Sequence, residues 1–148
     1  MSKAVVDIDE QEFKTYLHTH ETYLKQVREL EGRMDSLAPF ELAKLEFLYT
    51  KLERAAWHIA GWYKKKAKYY EGMAEIEQGQ EYKRLREDEK KTAADAQYYS
   101  RIPKGERLRE AGGYEGDFVT WKGIAQTYER AANAIKDMLK AIEREGGE

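Results

Sequence analysis

The chain reads as an all-α protein, and three observations carry that expectation. Apolar residues recur at steps of three and four over long stretches, which is the spacing of one helix face. No stretch alternates with period two for long enough to make a half-buried strand. Prolines number only 2 in 148 residues while charged residues reach 36%, a mixture that suits solvated helices in a bundle or coiled coil. The expected architecture is an elongated helical hairpin or bundle with one very long central helix, assembling into an oligomer. A chain of this length is expected to form a single domain over 1–148, with a core that needs no metal or disulfide.

The elements follow in order. Residues 1–8 read as frayed, and Asp9 with Glu12 three positions later resembles a capping box. That opens a first helix over 9–33, carried by Phe13, Tyr16, Leu17, Tyr23, Leu24, Val27 and Leu30. His18 and His20 lie two apart, cannot share a helix face, and read as surface residues. Met34–Pro39 reads as a turn, with Pro39 suited to a first helical turn.

A long helical region is then expected over 40–101. Its first part, 40–78, would span about 58 Å at about 1.5 Å per residue, which suits an extended hairpin or an oligomer. Leu45, Leu48, Leu52, Ala55, Ile59, Trp62, Tyr69 and Met73 form its apolar row. Gly61 and Gly72 inside it mark either a kink or a close backbone approach, and Gly79 is a candidate break. The following segment rests on Tyr82, Leu85, Ala93, Ala96 and Tyr99. Ile102-Pro103-Lys104-Gly105 reads as a firm break, and 102–116 as a basic, glycine-rich loop containing Gly112, Gly113 and Gly116. Asp117 then caps a last helix over 117–144, striped by Phe118, Trp121, Ile124, Tyr128, Ala132, Ile135, Leu139 and Ile142.

Composition excludes several function classes. There is no cysteine, so neither disulfides nor thiolate chemistry is available, and cytoplasm is the default compartment. No apolar run approaches the roughly 20 residues that span a bilayer, and no signal-peptide core is present. The phosphate-binding, nucleophile-elbow, zinc-protease and dinucleotide motifs are all absent. Three histidines without cysteine do not suggest zinc. No catalytic residue, cofactor or metal is expected, and the protein reads as a non-enzyme.

Charge is distributed unevenly. Residues 1–50 carry six bases and ten acids, a net −4, and residues 51–70 carry six bases and one acid, a net +5. Residues 71–90 return to −3 and 91–148 balance at zero, giving −2 in total. The basic block lies in Trp57–Gly72, WHIAGWYKKKAKYYEG, where the only acid is Glu71. On a helical wheel Trp57, Gly61, Lys64 and Lys68 fall opposite the apolar row. Trp57 there either packs against another helix or subunit, or stacks on a base while lysines hold phosphates. Lys66 lies on the apolar face, either snorkelling or facing a groove or subunit boundary. Candidate nucleic-acid contacts are therefore Lys64, Lys65, Lys66, Lys68 and Trp57, with Arg101 and Lys104 from a second basic patch that also holds Arg107 and Arg109.

The basic run ending in Tyr69-Tyr70-x-Gly72 is followed by an acid-and-lysine helix with alanines (Glu89, Lys90, Thr92, Ala94, Asp95). An aromatic-rich C-terminal helix ending in Asn133-Ala134-Ile135-Lys136 comes next. In this pattern the second two-thirds of the chain resembles the UvsY family of recombination mediators, small helical phage proteins. The resemblance implies a non-catalytic oligomeric ring that binds single-stranded DNA. Such a ring helps load a RecA-type recombinase onto strands covered by a single-stranded-DNA-binding protein. It places DNA contacts on Lys64 and Lys66, although the wheel sets Lys64 outward and Lys66 on the apolar face. A phage-encoded protein of this kind would work in the host cytoplasm.

The stripes on 40–78 and 117–144 present more apolar surface than a small bundle readily covers, so a homo-oligomer is expected. Its interface is expected on the last helix, at Trp121, Tyr128, Ile135 and Leu139. The alternative function is a non-enzymatic helical structural or adaptor protein, of phage type, that self-associates and binds a protein partner. In that case the basic block is simply solvated or meets an acidic partner.

Overall fold

The structure, a computed structural model, describes residues 3–146, with side chains from Glu10 onward. It is all-α: helix α1 spans Lys3–Glu31, α2 Pro39–Glu87, α3 Ala93–Tyr99 and α4 Arg101–Gly146, with a 3-10 turn at Met34–Ser36 between the first two. Among the described residues there is no strand, and no helix is long and apolar enough to cross a membrane.

Helix α1 begins at Lys3, so Asp9 lies within the helix and does not cap its start. The turn before α2 is built as expected. Pro39 occupies the first helical position, and the Ala38 N–H donates to the Glu41 carboxylate at 3.3 Å. That bond, then the Arg33 guanidinium, holds the Glu41 carboxyl below its ordinary value.

Helix α2 runs unbroken through Gly61, Gly72 and Gly79 to Glu87. The break in the expected long helical region over 40–101 falls at 88–92, later than the candidate at Gly79. The Lys91 N–H donates to the Leu85 carbonyl at 2.9 Å, and Lys90 takes a left-handed φ of 55°. This is the Schellman way of ending a helix, with lysine where glycine is usual. Thr92 then caps α3, its hydroxyl accepting from the Asp95 N–H at 3.2 Å.

The expected loop over 102–116 is helical, because α4 starts at Arg101. Pro103 lies in the first turn, where a missing N–H is tolerated. It cannot donate to the Tyr99 carbonyl, which accounts for a joint at Ser100 rather than one continuous helix. Ser100 stays in helical geometry (φ −68°, ψ −14°) and is fully buried.

The chain divides into two compact units. One contains α1, α2 up to Ala60 and α4 from Val119; the other is Gly61–Phe118. In the first unit α1 and α2 are antiparallel. Glu31 receives the Tyr49 hydroxyl near the turn, and the Tyr16 and His58 rings stack at 4.1 Å toward the other end. Their core joins Val27, Leu30, Leu42, Leu45, Leu48, Tyr49, Leu52 and Ile135, with Tyr128 and Leu139 packed against it. Fully burying a large aliphatic side chain contributes about 1.5–3 kcal/mol, so this cluster dominates the unit's stability. In the second unit α2 and α4 are also antiparallel, with Lys64 against Glu115 and Glu75 against Lys104. Its seam is built from small residues, Ala67, Ala74 and Ala111, all buried.

Candidate nucleic-acid interface

In the second unit, α2 turns a seam of Ala67, Tyr70 and Ala74 toward α4. Lys64 sits on the flank of that seam. It does not point away, as the wheel placed it: its ammonium donates to both Glu115 carboxylate oxygens at 2.9 and 3.0 Å and lies 4.9 Å from the Phe118 ring centroid. Lys66 is half-buried with its ammonium 5.2 Å from the Trp62 ring centroid. Its stem is packed and its charge is held by a ring face.

The second basic patch is similarly engaged. Lys104 pairs with Glu75 at 3.1 Å. Arg107 donates to Glu77 at 2.9 Å and to Glu110 at 3.0 Å, with its guanidinium over the Tyr70 ring. Glu77, then Glu110, raises the Arg107 pKa further above its ordinary range. Tyr70 stacks on Tyr114 at 5.4 Å with an interplanar angle of 6°. Burial, then Tyr114 and Glu110, pushes the Tyr70 phenol up. Arg101 is exposed.

What remains outward is a strip on α2. Gly61, Lys65, Lys68, Gly72, Ile76, Gly79 and Lys83 are all exposed. At helical spacing they fall within a sector of about 80°. Tyr69, 41% exposed, adjoins it and meets Tyr70 edge-on at 5.2 Å. The only acid paired along the strip is Glu71, to Lys68 at 3.3 Å, an exposed i,i+3 contact of the kind that exchanges readily with solvent ions. A Cβ built at Gly61, Gly72 or Gly79 would meet nothing within 4 Å. The backbone there is open to an incoming ligand.

Trp57 belongs to the first unit and the lysine block to the second. It lines a groove of about 460 Å³ with Thr50, Glu53, Arg54 and His58, and hydrogen-bonds to Glu53. Burial, then Glu129, pushes the Glu53 carboxyl up, against the lowering effect of the Trp57 bond.

The residues expected at an oligomer interface lie inside the first unit. Ile135 is in the core, and Tyr128 and Leu139 pack on it. Trp121 meets His20 edge-on at 5.1 Å. Tyr128, Ala132, Ile135 and Leu139 of the α4 stripe pack within the first unit, while Ile142 of the same stripe is exposed. His20, read from sequence as a surface residue, is half-buried and shares a 2.7 Å hydrogen bond with the Tyr128 hydroxyl. The signal was present in the row Tyr16, His20, Tyr23, Val27, Leu30, which steps by four and three.

Among the described residues no group of three or more His, Asp or Glu side chains is placed to hold a metal ion. The chain matches no family model, no curated protein and no solved structure.

Proposed function

We propose that this chain is a non-catalytic helical protein that binds single-stranded DNA and acts as a recombination mediator, helping a RecA-type recombinase onto strands held by a single-stranded-DNA-binding protein. The supporting observation is the α2 strip of the second unit. Lys65, Lys68 and Lys83 supply phosphate contacts, exposed Tyr69 supplies a ring for a base, and the intervening glycines let a strand approach the helix. Cations with a neighbouring aromatic ring suit single strands, whose bases are free to stack. The mediator role rests on the sequence resemblance, and the strip carries the DNA-binding part.

The second reading, a structural or adaptor protein, is favoured by one observation. Lys64, Lys104 and Arg107 are all held by acids of the same chain. Anisotropy of labelled single- and double-stranded oligonucleotides over a salt series separates the two. A mediator should prefer the single strand and lose affinity as salt rises, by about 0.7 log units per log unit of salt for each phosphate contact. An adaptor should show neither effect, and absence of both would overturn the DNA reading.

A further inference from the structure

The solvent face of α2 in the first unit has a pattern of its own. Phe40, Ala43, Phe47, Thr50, Arg54 and Trp57 step by three, four, three, four and three, and all are exposed. Phe40 is 79%, Phe47 55% and Trp57 40% exposed. This is a second heptad stripe, facing away from the buried one at Leu42, Leu45, Tyr49, Leu52, Ala56 and Ile59. A helix with an apolar row on each side has one more partner than the chain provides.

We propose that this face is the contact with a second copy of the chain, the two α2 helices running parallel and in register. In heptad terms Phe40, Phe47 and Arg54 take the a positions, and Ala43, Thr50 and Trp57 the d positions. The flanking positions are self-complementary in that orientation only. Glu46 at g lies five residues before Lys51 at e, the offset at which g and e residues meet across a parallel pair. An antiparallel pairing would instead set Lys51 against its own flank and Glu46 against Glu46. Arg54 breaks the apolar row, and across the parallel pair it lies next to the other copy's Glu53. A polar residue at one a position fixes register.

The row continues along the same helix into the DNA-binding strip, with Gly61 and Lys68 at the next a positions, so the proposed contact ends at Trp57 and its test has separate arms. The chain has no cysteine, so Thr50→Cys introduces a single reporter that meets its own copy across a parallel, in-register contact. Mild oxidation of the full chain should give a covalent dimer on a non-reducing gel, while Asn133→Cys, exposed on α4, should stay monomeric. Light scattering should show a species heavier than 17.3 kDa. Phe47→Glu should raise its dissociation constant about tenfold or more, the loss of one buried aromatic anchor. Glu46→Lys should weaken association, and adding Lys51→Glu should restore it with the pair reversed. Helicity by circular dichroism checks that each variant folds. A monomer at 100 micromolar (about 10⁻⁴ M, a weak-interface limit), or an oligomer indifferent to both Thr50→Cys oxidation and the charge exchange, overturns the proposal. So does a Glu46→Lys variant that binds oligonucleotide more tightly with its mass unchanged, since that outcome makes the face a nucleic-acid surface.

Discussion

Lys90 and Thr92 decide, between them, where the long second helix stops and the next one begins. Lys90 sits in the left-handed region, where a Cβ is disfavoured and glycine is not. Lys90→Gly should therefore stabilise the protein by about 1 kcal/mol, read as a higher urea midpoint. Thr92→Ala removes the acceptor for the Asp95 N–H and should cost about 1 kcal/mol. His20 gives the residue scale a pH dependence. Burial, then Arg28, holds its imidazole below the ordinary 6.5, so folding favours the neutral ring. The stability this contributes is present above the ordinary imidazole range and is lost as pH falls through the lower folded value. The melting temperature should drop between about pH 7 and pH 5, and His20→Gln should flatten that drop.

At the scale of elements, α4 is the most instructive case. Gly112, Gly113 and Gly116 made 102–116 read as a loop, since each costs about 1 kcal/mol in a helix. The helix forms because Lys104, Arg107, Ala111, Tyr114 and Phe118 step by three and four, all partly or fully buried. Tertiary contact outweighs the local penalty, and two of those five residues are cations whose burial a hydropathy pattern does not report. The glycines have open space where a Cβ would go. Alanine at Gly112, Gly113 or Gly116 should thus stabilise by about 0.5–1 kcal/mol each. A loss of stability would mean the stretch is not helical.

Helix α2 shows the same limit from the other side. Its row from Leu45 to Ile59 was legible because it is made of leucine, isoleucine and alanine. Between Ile59 and Gly79 the buried positions are Ala60, Ala67 and Ala74, with Tyr63 and Tyr70 between them half-buried. Alanine and tyrosine carry little hydropathy contrast, so the wheel kept the aliphatic axis and turned Lys64 outward.

At the scale of the molecule, self-association is expected on α4, where Tyr128, Ile135 and Leu139 pack within the first unit and Ile142 is exposed. Ile135→Asp therefore tests the fold of that unit. Ile135 is 3% exposed, and an unpaired charge there should lower stability by about 3 kcal/mol or more. The loss should show in chemical denaturation at any protein concentration. A variant that dissociated an oligomer yet kept full stability would return Ile135 to an interface. Of the seven residues singled out from sequence for DNA, the second unit leaves Lys65, Lys68 and Arg101 exposed, Lys68 with an exposed i,i+3 contact to Glu71, while Lys64 and Lys104 are paired between α2 and α4 and Lys66 is packed on Trp62. A sequence shows that lysines cluster; only packing shows which of them have already met an acid. DNA binding should therefore follow Lys65 and Lys68. The most direct measurement is the salt dependence of single-stranded oligonucleotide affinity for the Lys65→Glu, Lys68→Glu double variant. The affinity should fall for every sequence alike, and the log–log slope should become shallower by about 1.4, two contacts at about 0.7 each. Wild-type affinity and slope in the folded double variant would contradict DNA binding on this face.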